Sequence, residues 1–159
     1  MLCRVTFRAV TKDDVDELVD LITRCDALRS DWAPGWTLPE GHSERERQIW
    51  DRDLGSEGFR AEIAVAEDGS ILGVVATAGP DHVCALFVEP PLHGQGTGGE
   101  LLARAEGWLR EGGCERATLN VLEGAPAEGF YEAHGWRSTG ERDHFEWFDA
   151  PTLRYAKAL

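Results

Sequence analysis

Val88-Glu89-Pro90-Pro91-Leu92-His93-Gly94-Gln95-Gly96-Thr97-Gly98-Gly99-Glu100-Leu101-Leu102 is the stretch on which the reading of this 159-residue chain turns. Ahead of it, His82 to Val88 carries one apolar run (Val83, Cys84, Ala85, Leu86, Phe87, Val88), the pattern of a buried strand. Pro90 and Pro91 have no N–H to give to a ladder, so the strand stops there. Behind it, Leu101, Leu102, Ala105, Trp108 and Leu109 recur at helical spacing, and Gly112-Gly113 supplies a stop. Between strand and helix lie Gly94, Gly96, Gly98 and Gly99. Without Cβ atoms in the way, main-chain N–H groups converge here, where a helix also offers its unpaired donors and the positive end of its dipole. A loop of this kind is aimed at an anion. No Lys-Ser or Lys-Thr pair follows, so it is not a Walker loop, and no strand-helix-strand unit around it ends in a ribose-binding acid.

Bulk properties narrow the setting. A chain of this length is expected to be one domain, 1–159, able to bury a sizeable core. With 42% hydrophobic and 28% charged residues the composition is globular, and no apolar stretch approaches the length of a membrane span. No signal peptide is expected from Met1-Leu2-Cys3-Arg4, which lacks a long apolar core. The net charge of −13, from 29 acids against 16 bases, argues against a nucleic-acid partner and for a cationic or neutral substrate. Cys3, Cys25, Cys84 and Cys114 show no paired spacing, so buried reduced thiols are expected and a metal site is not.

Along the chain, Cys3 to Arg8 alternates as a first strand. Thr11 with Asp14 reads as a capping box opening an amphipathic helix from Lys12 to about Leu28. Asp31 to Pro39 is a broken loop carrying Trp32 and Trp36. Ser43, with Glu46, caps a second helix running to Leu54. Phe59–Glu67 and Ile71–Ala78 are strands joined by the turn Asp68-Gly69, followed by the strand from His82. Ala117–Leu122 is a further strand, and Pro126 and Gly135 bracket a short helix. Arg142–Phe148 and Thr152–Ala158 close the chain as a hairpin around Asp149-Ala150-Pro151.

The frame His93-Gly94-Gln95-Gly96-Thr97-Gly98 resembles the acyl-CoA loop of the GCN5-related N-acetyltransferases (GNAT), where Arg or Gln, two residues, Gly, one residue and Gly or Ala follow a Val-x-Pro-like strand end. His93 stands in for the usual Arg or Gln. A second segment is also similar to the family: Ala127, Phe130, Tyr131, Gly135 and Trp136 fall in register with its Asn-x-x-Ala-x-x-Phe-Tyr-x-x-x-Gly-Phe pattern, with Gly124 in place of the Asn. The resemblance spans about Arg4 to Lys157. It implies a mixed α/β fold with a mostly antiparallel, V-splayed sheet of six to seven strands and about four helices.

The same resemblance implies an acetyl-CoA-dependent N-acetyltransferase acting by direct attack in a ternary complex, with no metal, in the cytoplasm of a bacterium. The cofactor would be held by His93, Gly94, Gln95, Gly96, Thr97, Gly98 and Gly99, by the main chain of Phe87 and Val88, and by Asn120. Tyr131 would protonate the departing sulfur. The base stays open among His82, Glu89 and Glu123. Trp32 and Trp36 are candidates for an aromatic wall around a small amine, the preferred acceptor. His42, His134 and His144 have no motif context. The alternatives are an acyl-CoA-binding module with weak or no catalysis, an acetyltransferase of protein N-termini or lysines, or a longer acyl donor. A homodimer through the closing hairpin is compatible with the family, and no membrane partner is expected.

Overall fold

A computed structural model of the chain describes residues 4–159. Cys3, expected to begin the first strand, lies outside the described residues. Seven strands and four α-helices follow in the order β1 (Thr6–Ala9), α1 (Val15–Ala27), α2 (His42–Asp53), β2 (Phe59–Val65), β3 (Ile71–Ala78), β4 (His82–Val88), α3 (Thr97–Glu111), β5 (Arg116–Leu122), α4 (Ala127–Ala133), β6 (Arg137–Phe145) and β7 (Ala150–Ala158). The strands form one sheet ordered β1-β2-β3-β4-β5-β7-β6. Every neighbouring pair is antiparallel except β4 and β5. Among the described residues no helix is long and apolar enough to cross a membrane.

Period-two alternation splits the core between the two faces of this sheet. Ile63, Val74 and Ala76 pack with Leu18, Val19, Ile22 and Trp50 beneath α1 and α2. Ala64, Val75 and Val88 pack with Leu101, Leu102, Ala105 and Leu109 of α3. Strand β3 is covered on both sides, which is why its sequence runs apolar without alternation.

Several boundaries differ from the sequence reading, each for a local reason. Helix α1 is entered through a 3-10 turn at Lys12–Asp14 and left through another at Leu28–Asp31. The capping box is present: the Asp14 carboxylate accepts from the Thr11 N–H at 2.7 Å and from its hydroxyl at 3.1 Å. Helix α2 starts one residue early, capped by Gly41, because the Ser43 hydroxyl is engaged with Thr23 at 3.1 Å. Strand β6 begins at Arg137, before the expected Arg142, and carries an irregularity between Ser138 and Arg142. Glu146–Phe148 is a 3-10 turn rather than strand, and β7 already starts at Ala150. Trp147 and Phe148 leave the strand path to pack against α2 and Trp36.

Candidate active site

The site begins where β4 and β5 part. They pair only at His82↔Thr118 and Val83↔Leu119. Opposite β3 the register passes from Ala76↔Ala85 to Thr77↔Val83, so Cys84 is the extra residue of a bulge. A bulge bends its strand and increases its twist, which carries the rest of β4 away from β5. Cys84 is exposed there, a correction to the expectation of buried thiols, while the described cysteines (Cys25, Cys84, Cys114) are all free.

Main-chain direction along β4 follows from one bond. The Glu89 N–H donates to Leu72 O at 2.9 Å, so by alternation Phe87 and Ala85 also address β3, while Leu86 and Val88 address the opening. The main chain of Phe87, expected to pair with a cofactor arm, is thus spent on β3, the main chain of Leu86 is the one that points into the opening, and Phe87 lines the cavity. Val88 does face the opening, but its carbonyl already accepts from His93 Nε2 at 2.7 Å and from the Cys25 thiol at 3.2 Å. Burial pushes that Cys25 thiol up to about 12, so it stays a donor.

The loop after β4 is a 3-10 turn at Pro90–Leu92, then left-handed Gly94 (φ 82°) and Gly96 (φ 92°), then α3. His93, Gln95 and Glu100 donate their N–H groups to Pro90, Leu92 and Gly96. The N–H groups of Gly94, Gly96, Thr97, Gly98 and Gly99 meet no protein acceptor among the described residues. Gly98 and Gly99 serve a second purpose. A Cβ on Gly99 would lie 2.7 Å from His134 Nε2, and one on Gly98 3.3 Å from the Phe130 ring, so α4 rests directly on the first turn of α3. His134, which has no motif, is held there by a bond from its Nδ1 to Phe130 O at 2.7 Å. Gln95 donates from Nε2 to Pro91 O at 3.3 Å. At the second departure from the family pattern, the Gly124 N–H donates to the Glu128 carboxylate at 2.6 Å.

Tyr131 projects from α4, buried between Phe130 (ring centroids 5.2 Å apart) and Trp136 (6.3 Å). Its hydroxyl has no hydrogen-bond partner among the described residues, and the residue lines the cavity. Burial pushes the phenol up to about 12, so it carries its proton at neutral pH.

The opening widens into a cavity of about 620 Å³ bounded by β4, β5, α2 and the β6–β7 turn. His82 stands at its closed end, Nδ1 held by the Thr118 hydroxyl at 2.9 Å. Burial first, and the charge of Arg154 second, hold the His82 pKa below the ordinary imidazole value. Asn120 lines the cavity and accepts from Arg154 Nε at 3.3 Å. Glu89 and Glu123 lie outside the lining, ion-paired with Arg24 and Arg142 respectively. Trp32 and Trp36 do not line it either. Trp32 lies under the Arg29 guanidinium at 4.6 Å, and Trp36 packs edge-on against Phe148 at 4.9 Å. Trp36 thus backs Phe148, which lines the cavity together with Phe145, Phe59 and Trp50.

One polar group of the cavity has no counterpart in the sequence reading. Asp26, His42 and Glu46 bring their ligating atoms within 4.8 Å of one another. Trp147 Nε1 can only donate, so His42 Nδ1 accepts it at 2.9 Å and the ring proton sits on Nε2, facing Asp26 at 2.8 Å. A metal on Nε2 would require that proton on Nδ1, against the indole N–H. The trio is thus arranged for proton sharing rather than for a metal ion. Its signal in the sequence was the spacing of His42, Glu46, Trp50 and Asp53 on one face of α2, but nothing in the sequence marks that face as a cavity wall.

A family model described as an acetyltransferase (GNAT) domain matches residues 42–156. The chain belongs to the GNAT family. No curated protein matches its sequence. Among solved structures, it is similar to a GCN5-related N-acetyltransferase from Rhodopseudomonas palustris (18% identity, TM-score 0.74, covering 100% of this chain and 99% of the other). It is also similar to the PaiA N-acetyltransferase of Thermoplasma acidophilum, solved with coenzyme A (15%, 0.72, 98% and 99%). A spermidine N-acetyltransferase variant from Vibrio cholerae is a third (16%, 0.70, 96% and 94%). This GNAT domain keeps the family's splayed β4–β5 pair and amide loop, and departs from the usual motif at His93 and Gly124.

Proposed function

We propose that this GNAT protein, acting as a single domain over 1–159, transfers an acetyl group from acetyl-CoA to a small, positively charged primary amine by direct attack. The observation that carries the reading is the combination of three parts: the open edge of β4, and five N–H donors and a Tyr131 hydroxyl that have no partner among the described residues. The residues fit the donor molecule. The amides of Gly94, Gly96, Thr97, Gly98 and Gly99 would hold its diphosphate, supported by the α3 dipole. The outward main chain of Leu86 and the Val88 N–H would bond its amide arm as an added strand would. Bound there, acetyl-CoA supplies an acetyl group activated as a thioester. Tyr131 holds a proton for the departing thiolate, and the amine nitrogen, once neutral, forms the new bond to the acetyl carbon.

The cavity wall supports a cationic acceptor: Asp26, Glu46, Asp53 and Asp143 line it against the single arginine Arg45. The fold's likeness to spermidine acetyltransferases points the same way.

The test is calorimetric titration with coenzyme A, followed by thiol release from acetyl-CoA over a panel of small amines and peptide N-termini. Small cationic amines are expected to turn over best. Tyr131→Phe is expected to lower kcat about 100-fold while leaving coenzyme A affinity within about twofold. Coenzyme A binding without thiol release from any amine would identify a binding module and refute the reading.

A further inference from the structure

The four carboxylates that line the cavity are not equally occupied. Asp26 accepts from His42 Nε2 at 2.8 Å, Asp53 from Arg52 at 2.8 and 3.2 Å, and Asp143 from the His144 N–H at 2.7 Å. Glu46 accepts no hydrogen bond among the described residues; its nearest cation, Arg45 Nη1, lies 3.5 Å from Oε1. Its titratable neighbours Asp26 and His42 are engaged with each other. Both nitrogens of His42 are bonded, one to Trp147 and one to Asp26. His82 has one nitrogen on Thr118 and stands at the closed end, where β4 and β5 still pair.

Resting on the acetyl-transfer reading above, we infer that Glu46, rather than His82 or Glu89, receives the proton that the acceptor ammonium must lose, with Asp26 and His42 as positioning residues. An N–H bond of the ammonium breaks and its proton passes to a Glu46 oxygen, directly or through one water. The freed lone pair forms the bond to the acetyl carbon, the carbon–sulfur bond breaks, and the thiolate takes the Tyr131 proton. Glu46 then returns its proton to solvent, and Tyr131 regains one from the acylated nitrogen, which sheds its second N–H proton, directly or through water, as the neutral amide forms. A carboxylate in this position also attracts the ammonium before it is deprotonated, so binding and proton removal fall to one side chain.

The surroundings of Glu46 agree with this role. Burial, and next the facing Asp26 charge on α1, raise its pKa above the usual carboxylate range, against smaller opposing effects of His42 and Arg45 on its own helix. A carboxylate so placed is a better proton acceptor than one in water. His42, held by the Trp147 N–H and the Asp26 carboxylate, fixes the Asp26 geometry that sustains this effect.

Glu46→Gln keeps the shape and removes the proton acceptor. Using spermidine and a monoamine as probes, pH–rate profiles of the full chain are compared for wild type, Glu46→Gln, Glu46→Asp and His82→Gln, with coenzyme A affinity and melting temperature measured alongside. Glu46→Gln is expected to lower kcat at pH 7 about 100-fold without weakening coenzyme A binding. The deficit should shrink as pH rises toward the amine pKa of about 10, because solution then delivers the neutral amine. Glu46→Asp should lose less, and Asp26→Asn should shift the acidic limb of the profile. The inference is overturned if Glu46→Gln stays within about threefold of wild type, or loses rate equally at every pH. It is also overturned if His82→Gln alone gives the pH-recoverable loss. Either result leaves acetyl transfer standing, whereas a wild-type protein that binds coenzyme A but acetylates no amine removes both readings.

Discussion

Asp14 shows how much a single side chain can gather. Arg8 donates to both of its oxygens, at 2.8 Å each, while Thr11 donates from its N–H and its hydroxyl. These bonds, Arg8 foremost, hold the Asp14 carboxyl down at about 2, below the ordinary 3.8. A folded-state pKa below the unfolded one stabilises the fold fully above the unfolded value and loses that contribution as pH falls through the folded one. The contribution should therefore be present above about pH 4, fall away as pH drops toward the folded value, and be gone only near about pH 1. Since Arg8 is half exposed, about 1 kcal/mol is the expected size. Comparing the melting temperatures of wild type and Asp14→Asn checks it: the gap should be open at pH 7 and mostly closed by about pH 2. The Thr11–Asp14 box was legible from spacing alone, because both partners lie within one turn. The Arg8 fork was not, because a strand residue meets a helix cap only once the chain has folded. The same contrast holds in the site: Tyr131 stood out through its motif, whereas Glu46 stands out only because its carboxylate, 3.5 Å from Arg45, accepts no hydrogen bond among the described residues.

At the scale of elements, β3 and α3 meet at Gly73. A Cβ there would lie 2.9 Å from Leu101 Cδ1 and 2.9 Å from Phe87 O, and the second is backbone that cannot turn aside. Gly73→Ala is expected to destabilise by about 1–3 kcal/mol, read as a fall in thermal or urea midpoint. Coenzyme A affinity should fall with it, because Leu101 lies in the first turns of α3, directly behind the amide loop. The order of elements and the position of the amide loop were readable, since apolar runs, prolines and Asp-Gly act through neighbours in sequence. The β6–β7 turn was misread for a physical reason. Trp147 and Phe148 look like strand residues, but their burial comes from α2 and Trp36, more than 100 residues earlier. Tryptophans 32 and 36 were placed one layer too far inward on the same account: Arg29 and Phe148 cover their rings.

Over the whole molecule, a net charge of −13 and a cavity wall rich in carboxylates create a field that draws cations inward. An anionic cofactor must then be held by local donors at short range, which suits main-chain amides at a helix start. Raising ionic strength from about 50 to about 500 mM should raise KM for a cationic acceptor several-fold, because the screening length drops to a few ångströms. KM for an uncharged amine should change little over the same range. Equal responses from both acceptors would show that the field plays no part in acceptor capture.

The sequence by itself determined the mixed α/β architecture, the strand–loop–helix that bears the amides, and the tyrosine on the following short helix. All of these are written in short-range periodicity, in glycine and proline chemistry, and in the spacing of two motifs. Only the tertiary structure decided which face of α2 bounds the cavity, which carboxylates are already bonded, and which β4 carbonyls and amides point into the opening. Those properties depend on the Cys84 bulge and on contacts between α1, α2 and the β6–β7 turn. Segments far apart in sequence have no local preference for one another, and a side chain's availability is set by whatever packing leaves beside it.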